Sequence, residues 1–248
     1  MSSPHIITAT ANRVLTIEIS RREKKNAITV VMYNALSDAL DQARTDDNVG
    51  AVCLHGQSDL FTAGNDLGDF LVPDARKDGK GHRFLETISS FPKPIVAAVG
   101  GPAIGIGCTM LMHCDLVVAS ETARFQLPFV KLGLCPEAAS SMLLPQMAGP
   151  RLAAELMLLG EFFNAETAQR AGIVNYVVPA PGVIEAAESL AARLAHEPTD
   201  ALIATKALLK RPLGRPISEA LADEYAQFER LLASDATRTS LQAFFKKP

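Results

Sequence analysis

The sequence predicts an α/β fold followed by an all-helical C-terminal region. Short β-rich runs alternate with helical patterns through the first two thirds of the chain, and no strand pattern occurs after about residue 182. The chain has 248 residues, of which 48% are apolar and 21% charged, which suits one main domain with a small appendage. We therefore expect a core at residues 1–190, with buried strands in at least one layer, and a helical region at residues 191–248.

The expected strands begin with a hairpin and continue as short buried runs. They lie at residues 6–7, 14–19, 51–55, 95–99, 115–119 and 173–178. Thr29 is expected to cap a helix that carries Met32, Leu36 and Leu40 on one stripe, before the third strand. Further helical stretches are expected at residues 108–112, 151–159, 183–194, 201–209, 218–233 and 235–245.

Composition excludes several function classes. The net charge is −3 and there is no basic block, so nucleic acid is not an expected partner. No apolar run approaches 18 residues and the first residues do not resemble a leader, so we expect a cytoplasmic protein that does not bind membranes. No histidine pair has metal-ligand spacing, and no metal is expected. The cysteines form no C-x-x-C pair and are expected to be reduced core thiols: Cys53, Cys108, Cys114 and Cys135.

Two glycine-containing turns follow predicted strands. The first covers residues 60–67 and the second residues 100–108, directly before a helix. Such turns expose backbone N–H groups at the positive end of a helix dipole, where an anion or a developing oxyanion can bind. The alternative is that both glycine groups are plain turn residues. A dinucleotide site is not expected, because Gly105-x-Gly107 lacks the third glycine of that motif.

One acidic residue lies in unusually apolar surroundings. Glu137 is the only acid between Glu121 and Glu155. Desolvation raises the pKa of a carboxylate in such surroundings, which suits a general base near neutral pH. Alternatively, Glu137 complements the dipole at the start of a helix. Ser140 and Ser141 have no histidine nearby, so serine hydrolysis is not expected.

The remaining polar candidates are expected to be structural. We predict that His55 and His113 are hydrogen-bonded, that Asp66 stabilises its loop and that Asp69 is solvated. The last helices carry more apolar side chains than a small helical tail can bury by itself, so we expect them to dock on the body or on another subunit. Docking on another subunit is the more specific hypothesis. These side chains are Phe228, Leu231, Leu232, Leu241, Phe244 and Phe245.

Three segments together resemble the crotonase, or enoyl-CoA hydratase/isomerase, superfamily. Residues 22–28 (REKKNAI) are similar to its N-terminal signature, residues 61–67 (FTAGNDL) to its first oxyanion loop and residues 100–108 to its second. The resemblance implies a crotonase-like spiral of ββα units with a C-terminal helical oligomerisation region, assembled as a homotrimer or a dimer of trimers. It also implies an acyl-CoA thioester substrate and no cofactor apart from the coenzyme A of that substrate.

The resemblance implies specific roles for residues of the two loops. The oxyanion donors would be the backbone N–H groups of Asn65 and Ile106. The two positions at which hydratases carry catalytic glutamates hold Thr109 and Phe129, so water addition is not expected. The resemblance also implies which residues contact the substrate: Ala63, Gly64, Asp66, Leu67, Gly105, Thr109 and Phe129. Two basic residues, Lys25 and Lys247, would lie near the phosphates, and Lys247 would reach a neighbouring subunit's ligand.

Residues 125–141 resemble the Δ3,Δ2-enoyl-CoA isomerase branch, in which a glutamate at the place of Glu137 is the sole acid/base. The leading hypothesis is therefore conversion of 3-enoyl-CoA to 2-enoyl-CoA in β-oxidation or a related pathway. The alternatives are another crotonase-type acyl-CoA reaction and a non-catalytic acyl-CoA-binding module. Acyl length does not follow from the sequence, although residues 72–81 have the composition of a flexible loop near the acyl entrance.

Overall fold

The structure is a computed structural model that describes residues 3–70, 82–210 and 216–245. Its strands are β1 (Ile6–Ala11), β2 (Val14–Ile19), β3 (Ala51–His55), β4 (Ile95–Val99), β5 (Ala103–Ile104), β6 (Leu116–Ser120), β7 (Arg124–Gln126), β8 (Phe163–Asn164) and β9 (Tyr176–Val178). Its helices are α1 (Val30–Thr45), α2 (His82–Ser89), α3 (Ile106–Thr109), α4 (Ser140–Ala148), α5 (Pro150–Ala154), α6 (Ala165–Arg170), α7 (Val183–Ala195), α8 (Thr199–Leu209), α9 (Ile217–Leu232) and α10 (Asp235–Phe245).

A large sheet has the strand order β1-β2-β3-β4-β6-β9, and a small sheet has the order β5-β7-β8. The first two strands form the predicted antiparallel hairpin, whose turn residues Asn12 and Arg13 both have positive φ. From β2 onward the large sheet is parallel. Every residue of β3 and β4 is buried, as expected for strands covered on both faces.

Helix α7 covers one face of the large sheet. Its buried residues recur every four positions at Val183, Ala187, Ala191 and Ala195, and they pack against β3, β4 and β6. The small alanine side chains let the helix lie close to the sheet. The predicted domain boundary at residue 190 falls inside α7, so this helix continues the core past that position, and the division into two regions stays a prediction.

The opposite face carries α1, and its predicted cap is confirmed. The Thr29 hydroxyl accepts a hydrogen bond from the Met32 N–H at 3.3 Å. The predicted stripe at Met32, Leu36 and Leu40 is buried. The expectation that Asp69 is solvated is wrong, because its carboxylate accepts from the Val30 N–H at 2.9 Å. The first N–H groups of a helix need acceptors, and Asp69 supplies one from a distant loop.

Each of the two predicted middle helices is a short α-helix that continues as a different kind of helical turn. The stretch at residues 108–112 is α3 continued by a 3-10 turn, Met110–His113, and the stretch at 151–159 is α5 continued by a π-helical turn, Glu155–Leu159. The C-terminal helices form as predicted and dock on the chain's own body. Phe228 and Leu241 are buried, and the Thr237 hydroxyl donates to the Gly133 carbonyl at 2.8 Å. Within the described ranges, no helix is long and apolar enough to cross a membrane.

Candidate active site

The two glycine turns predicted from the sequence lie side by side. The Thr62 N–H donates to the Pro102 carbonyl at 2.9 Å, and the Ile104 N–H donates to the Thr62 carbonyl at 3.1 Å. Gly64 has a φ of +92°, and a Cβ there would lie 2.6 Å from the Ile104 oxygen. Only glycine allows the two turns to approach this closely. The loops are therefore held together by their backbones rather than by side chains.

Each turn leaves one backbone N–H pointing to no protein acceptor. In the first loop the Asp66 N–H donates to the Ile28 carbonyl, and the Ile28 N–H donates to the Gly64 carbonyl. The Asn65 N–H, which lies between these two contacts, takes part in neither of them. In the second loop, Ile106 is the first residue of α3. Across the part of the chain that the structure describes, neither the Asn65 nor the Ile106 N–H makes a hydrogen bond. Both are therefore available to a ligand oxygen, as the sequence predicts.

Glu137 lies beside this pair and is only 7% exposed. Its Oε1 accepts a hydrogen bond from the Asn65 side-chain amide at 3.2 Å, and the Tyr33 hydroxyl donates to the other end of that amide, Asn65 Oδ1, at 2.7 Å. These two contacts together determine which way the amide is oriented. Hydrogen bonds thus run from Tyr33 of α1 through Asn65 of the first glycine turn to the predicted base.

The backbone directly after Glu137 is strained. Ala138 and Ala139 both have left-handed φ values, of 63° and 55°. Residues with a Cβ rarely adopt this conformation, and it persists only where the surroundings impose it. Here the Ser140 hydroxyl donates to the Glu137 carbonyl at 2.6 Å, and His113 contacts the Ala138 carbonyl through Nε2 at 2.7 Å.

The His113 contact requires the tautomer that carries its proton on Nε2, because a carbonyl can only accept. Burial lowers the pKa of His113 to about 4, which keeps the ring neutral. His55 also makes a backbone contact, from Nδ1 to the Gly56 carbonyl at 2.6 Å. The prediction that these two histidines are hydrogen-bonded is confirmed.

A second carboxylate, Glu224 of α9, also holds this turn and was missed by the sequence analysis. It accepts from the Ala139 N–H at 2.5 Å, from the Ser141 N–H at 2.9 Å and from the Ser141 hydroxyl. The sequence does contain a pattern that indicates a buried acid at this position. Glu224 lies four residues after Ala220 and four before Phe228 on the buried stripe of α9, and an acid at such a position needs a partner.

A cleft of about 480 Å³ opens in front of the base and the two turns. This volume is ordinary for a small-molecule site. The predicted site residues that line it are Ala63, Gly64, Asn65, Leu67, Gly105, Phe129 and Glu137. Its far wall comes from the C-terminal helices, at Phe228, Ser240, Ala243 and Phe244. A second, water-sized cavity of about 10 Å³ lies behind, lined by Tyr33, Ile106, Glu137 and Glu224 among others.

Among the described residues, three other predicted contact residues do not line the cleft: Lys25, Asp66 and Thr109. Lys25 is exposed, and its carbonyl accepts from the Ala63 N–H at 2.9 Å, so its backbone supports the first loop. Asp66 pairs with Arg21 at 2.7 Å, as expected of a loop-stabilising carboxylate. Partial burial opposes its ionisation, yet hydrogen bonds from Arg21 and Gly68 leave the pKa of Asp66 below its usual value. Thr109, the last residue of α3, is fully buried. Lys247 and the loop at residues 72–81 lie outside the described residues.

The site contains no feature of a metal centre. No group of three or more histidine, cysteine, aspartate or glutamate side chains within the described ranges has the arrangement to hold a metal ion. The four cysteines are free, and burial raises the pKa of the Cys53 thiol to about 12. The site therefore offers one buried carboxylate, Glu137, which lines the apolar cleft together with Asn65 and lines the small cavity together with Ile106.

Comparison with known proteins identifies the family. Residues 9–248 match the family model described as enoyl-CoA hydratase/isomerase. A 2,3-dehydroadipyl-CoA hydratase of Escherichia coli is 33% identical over 98% of this chain and 96% of its own length. Enoyl-CoA delta isomerase 2 of Rattus norvegicus is 39% identical over 71% of this chain and 47% of that protein.

The solved structures identify the fold. An enoyl-CoA hydratase/isomerase of Pseudoalteromonas atlantica has a TM-score of 0.93 at 40% identity, covering 98% of this chain and 97% of that one. The expected crotonase fold, with its parallel-rich sheet and C-terminal helices, is confirmed. Sequence match, fold and paired backbone donors all lead to one conclusion: this chain is an enzyme of the enoyl-CoA hydratase/isomerase family.

Proposed function

We propose that the enzyme is a Δ3,Δ2-enoyl-CoA isomerase, which moves the double bond of a 3-enoyl-CoA into conjugation with the thioester. One observation carries the proposal. Among the described residues that line the cleft, Glu137 is the only acid, and it lies beside the two oxyanion donors. A 1,3-proton shift needs a single group that first accepts and then donates a proton.

The reaction proceeds through a dienolate. Glu137 removes a proton from C2 of the 3-enoyl thioester; the C–H electron pair forms a C1–C2 double bond and the carbonyl π pair moves onto the thioester oxygen, while the C3–C4 double bond stays in place until C4 is protonated. Negative charge collects on the thioester oxygen, where the Asn65 and Ile106 N–H groups bind it; each such donor stabilises a transition state by about 3 to 4 kcal/mol. Protonated Glu137 then returns the proton to C4, which yields the 2-enoyl thioester and regenerates the carboxylate.

Two residues favour this reaction over hydration. Water addition in the family uses two glutamates, and the corresponding positions here hold Thr109 and Phe129. Phe129 is 4% exposed and lines the cleft, so a phenyl ring stands where a water-activating carboxylate would. Excluding water also protects the dienolate from side reactions. The hydratase name belongs to the Escherichia coli relative and does not by itself supply a second acid here.

Burial of Glu137 favours an enzyme over an acyl-CoA-binding module. A binding module needs no base, and its equivalent carboxylate would be free to face solvent. Here the carboxylate is buried, and it accepts a hydrogen bond from the side-chain amide of Asn65, the residue whose backbone N–H is one of the two proposed donors. Basic groups that would meet the coenzyme A phosphates stay part of the proposal, with Lys25 and Lys247 as candidates and Lys131 on the cleft wall as a third.

To test this proposal, a 3-enoyl-CoA is added to the enzyme, and formation of the conjugated 2-enoyl thioester is monitored by its ultraviolet absorbance. Glu137→Gln keeps the shape of the side chain and removes its basicity, so we expect kcat to fall at least about 100-fold. Glu155→Gln, at an exposed acid away from the cleft, is the matched control and should retain full activity.

A hydration assay with 2-enoyl-CoA separates the alternatives. Slow hydration together with fast conjugation supports the isomerase. Fast hydration by the wild type would contradict the argument from Thr109 and Phe129. Acyl-CoA binding without conjugation or hydration would overturn the isomerase and favour the binding module.

A further inference from the structure

We infer that Glu224 is a positioning residue: its buried carboxylate holds the left-handed Ala138–Ala139 turn and thereby aims Glu137 at the substrate. The inference rests on the proposed function, since it takes Glu137 as the base. Glu224 does not line the main cleft among the residues described there, so it acts through the turn and not on the substrate.

The turn needs an external support. Two consecutive alanines with positive φ are disfavoured, because each Cβ approaches the neighbouring carbonyl. Ala139 is also the N-cap of α4 and has no side-chain oxygen to accept from the first N–H groups of that helix. The local sequence thus supplies neither the conformation nor the cap that this bend requires.

Glu224 supplies the missing acceptor from a helix 85 residues away in the sequence. One carboxylate oxygen accepts from the Ala139 N–H at 2.5 Å, and the other accepts from the Ser141 N–H at 2.9 Å and from the Ser141 hydroxyl. These donors can be satisfied together only when residues 138–140 follow the observed bend. The carboxylate therefore selects the left-handed turn over an ordinary helical start.

The bend matters because Glu137 directly precedes it. Relaxation at Ala138 would rotate the Glu137 backbone and move its carboxylate away from the Asn65 amide, now 3.2 Å distant. Glu137 and Glu224 also line the same water-sized cavity, so the two residues lie close to one another. A displacement of about 1 Å at a reacting group can cost about 100-fold in rate. Burying a carboxylate costs free energy, and holding the turn accounts for the burial of the Glu224 carboxylate.

The first experiment compares steady-state isomerisation by Glu224→Gln, Glu224→Ala and the wild type. We expect kcat to fall about 10- to 100-fold in Glu224→Ala, and less in Glu224→Gln, which keeps one acceptor oxygen. The KM should change less than about twofold, because the cleft wall is intact. Glu229→Gln, at an exposed acid of the same helix, is the control and should match the wild type.

A glycine rescue separates positioning from general stability. Glycine adopts positive φ without steric cost and is tolerated at an N-cap. Ala139→Gly in the Glu224→Ala background should therefore raise kcat at least about fivefold above that of Glu224→Ala. A crystal structure of Glu224→Ala should show residues 138 and 139 leaving the left-handed region and the Asn65–Glu137 contact broken.

The outcomes are decisive even if Glu224→Ala fails to fold. Ser141→Ala removes only one of the three donors and should lower kcat about two- to fivefold with an unchanged KM. Unaltered kcat in Glu224→Gln and Ser141→Ala, a loss confined to KM, or no rescue by glycine would overturn the inference. If the wild type does not isomerise 3-enoyl-CoA, the proposed function fails, but the crystal structure of the variant still decides whether Glu224 holds the turn.

Discussion

Asn65 contributes to the site twice, through its backbone N–H and through its side chain. The amide of Asn65 links the Tyr33 hydroxyl to the Glu137 carboxylate, at 2.7 Å and 3.2 Å. Asn65→Ala keeps the backbone donor and removes the link. A hydrogen bond to a charged group stabilises by about 1.5 to 3 kcal/mol, so we expect kcat to fall roughly tenfold or more, with KM little changed.

Tyr33→Phe provides the graded control for this prediction. It removes only the outer hydroxyl, so its effect on kcat should be smaller, about two- to fivefold. Because both residues act through one relay, the double variant should be no slower than Asn65→Ala alone. Additive losses of kcat, measured in the same conjugation assay, would show that Tyr33 and Asn65 act independently and would contradict the relay.

At the scale of elements, the 3-10 turn Met110–His113 is coupled to the start of α4. His113 contacts the Ala138 carbonyl, and burial lowers its pKa to about 4, against about 6.5 in an unfolded chain. Between these values the unfolded state binds a proton that the folded state does not. The free energy of unfolding must therefore decrease as pH falls through this window, by up to about 3 kcal/mol.

Urea unfolding of the wild type and of His113→Asn at several pH values checks this prediction. The asparagine amide still donates to a carbonyl but does not titrate, so the variant should lose less stability between pH 6.5 and pH 4. Carboxylates elsewhere contribute equally to both proteins and cancel in the comparison. Parallel pH profiles would mean that His113 does not contribute to acid sensitivity.

Local chemistry explains which elements the sequence predicts well. Strands β3 and β4 are predicted because they are buried, mostly apolar runs. The two glycine turns are predicted because glycine itself permits their backbone conformation, as at Gly64 with a φ of +92°. The roles of Asp69 and Glu224 were not predicted for the opposite reason. Each carboxylate caps a helix remote in sequence, Asp69 across 39 residues and Glu224 across 85, and no local pattern encodes such a pairing.

At the scale of the whole molecule, exposed apolar side chains around the π-helical turn bear on assembly. Leu158, Leu159 and Phe162 are 67%, 58% and 60% exposed, an arrangement that favours association. The family resemblance implies a trimer or a dimer of trimers, so we expect light scattering to give three or six times the 26.5 kDa chain mass. Phe162→Asp should lower that mass because it places a charge in the contact. A monomeric wild type, or equal masses for wild type and Phe162→Asp, would exclude this surface as the subunit contact.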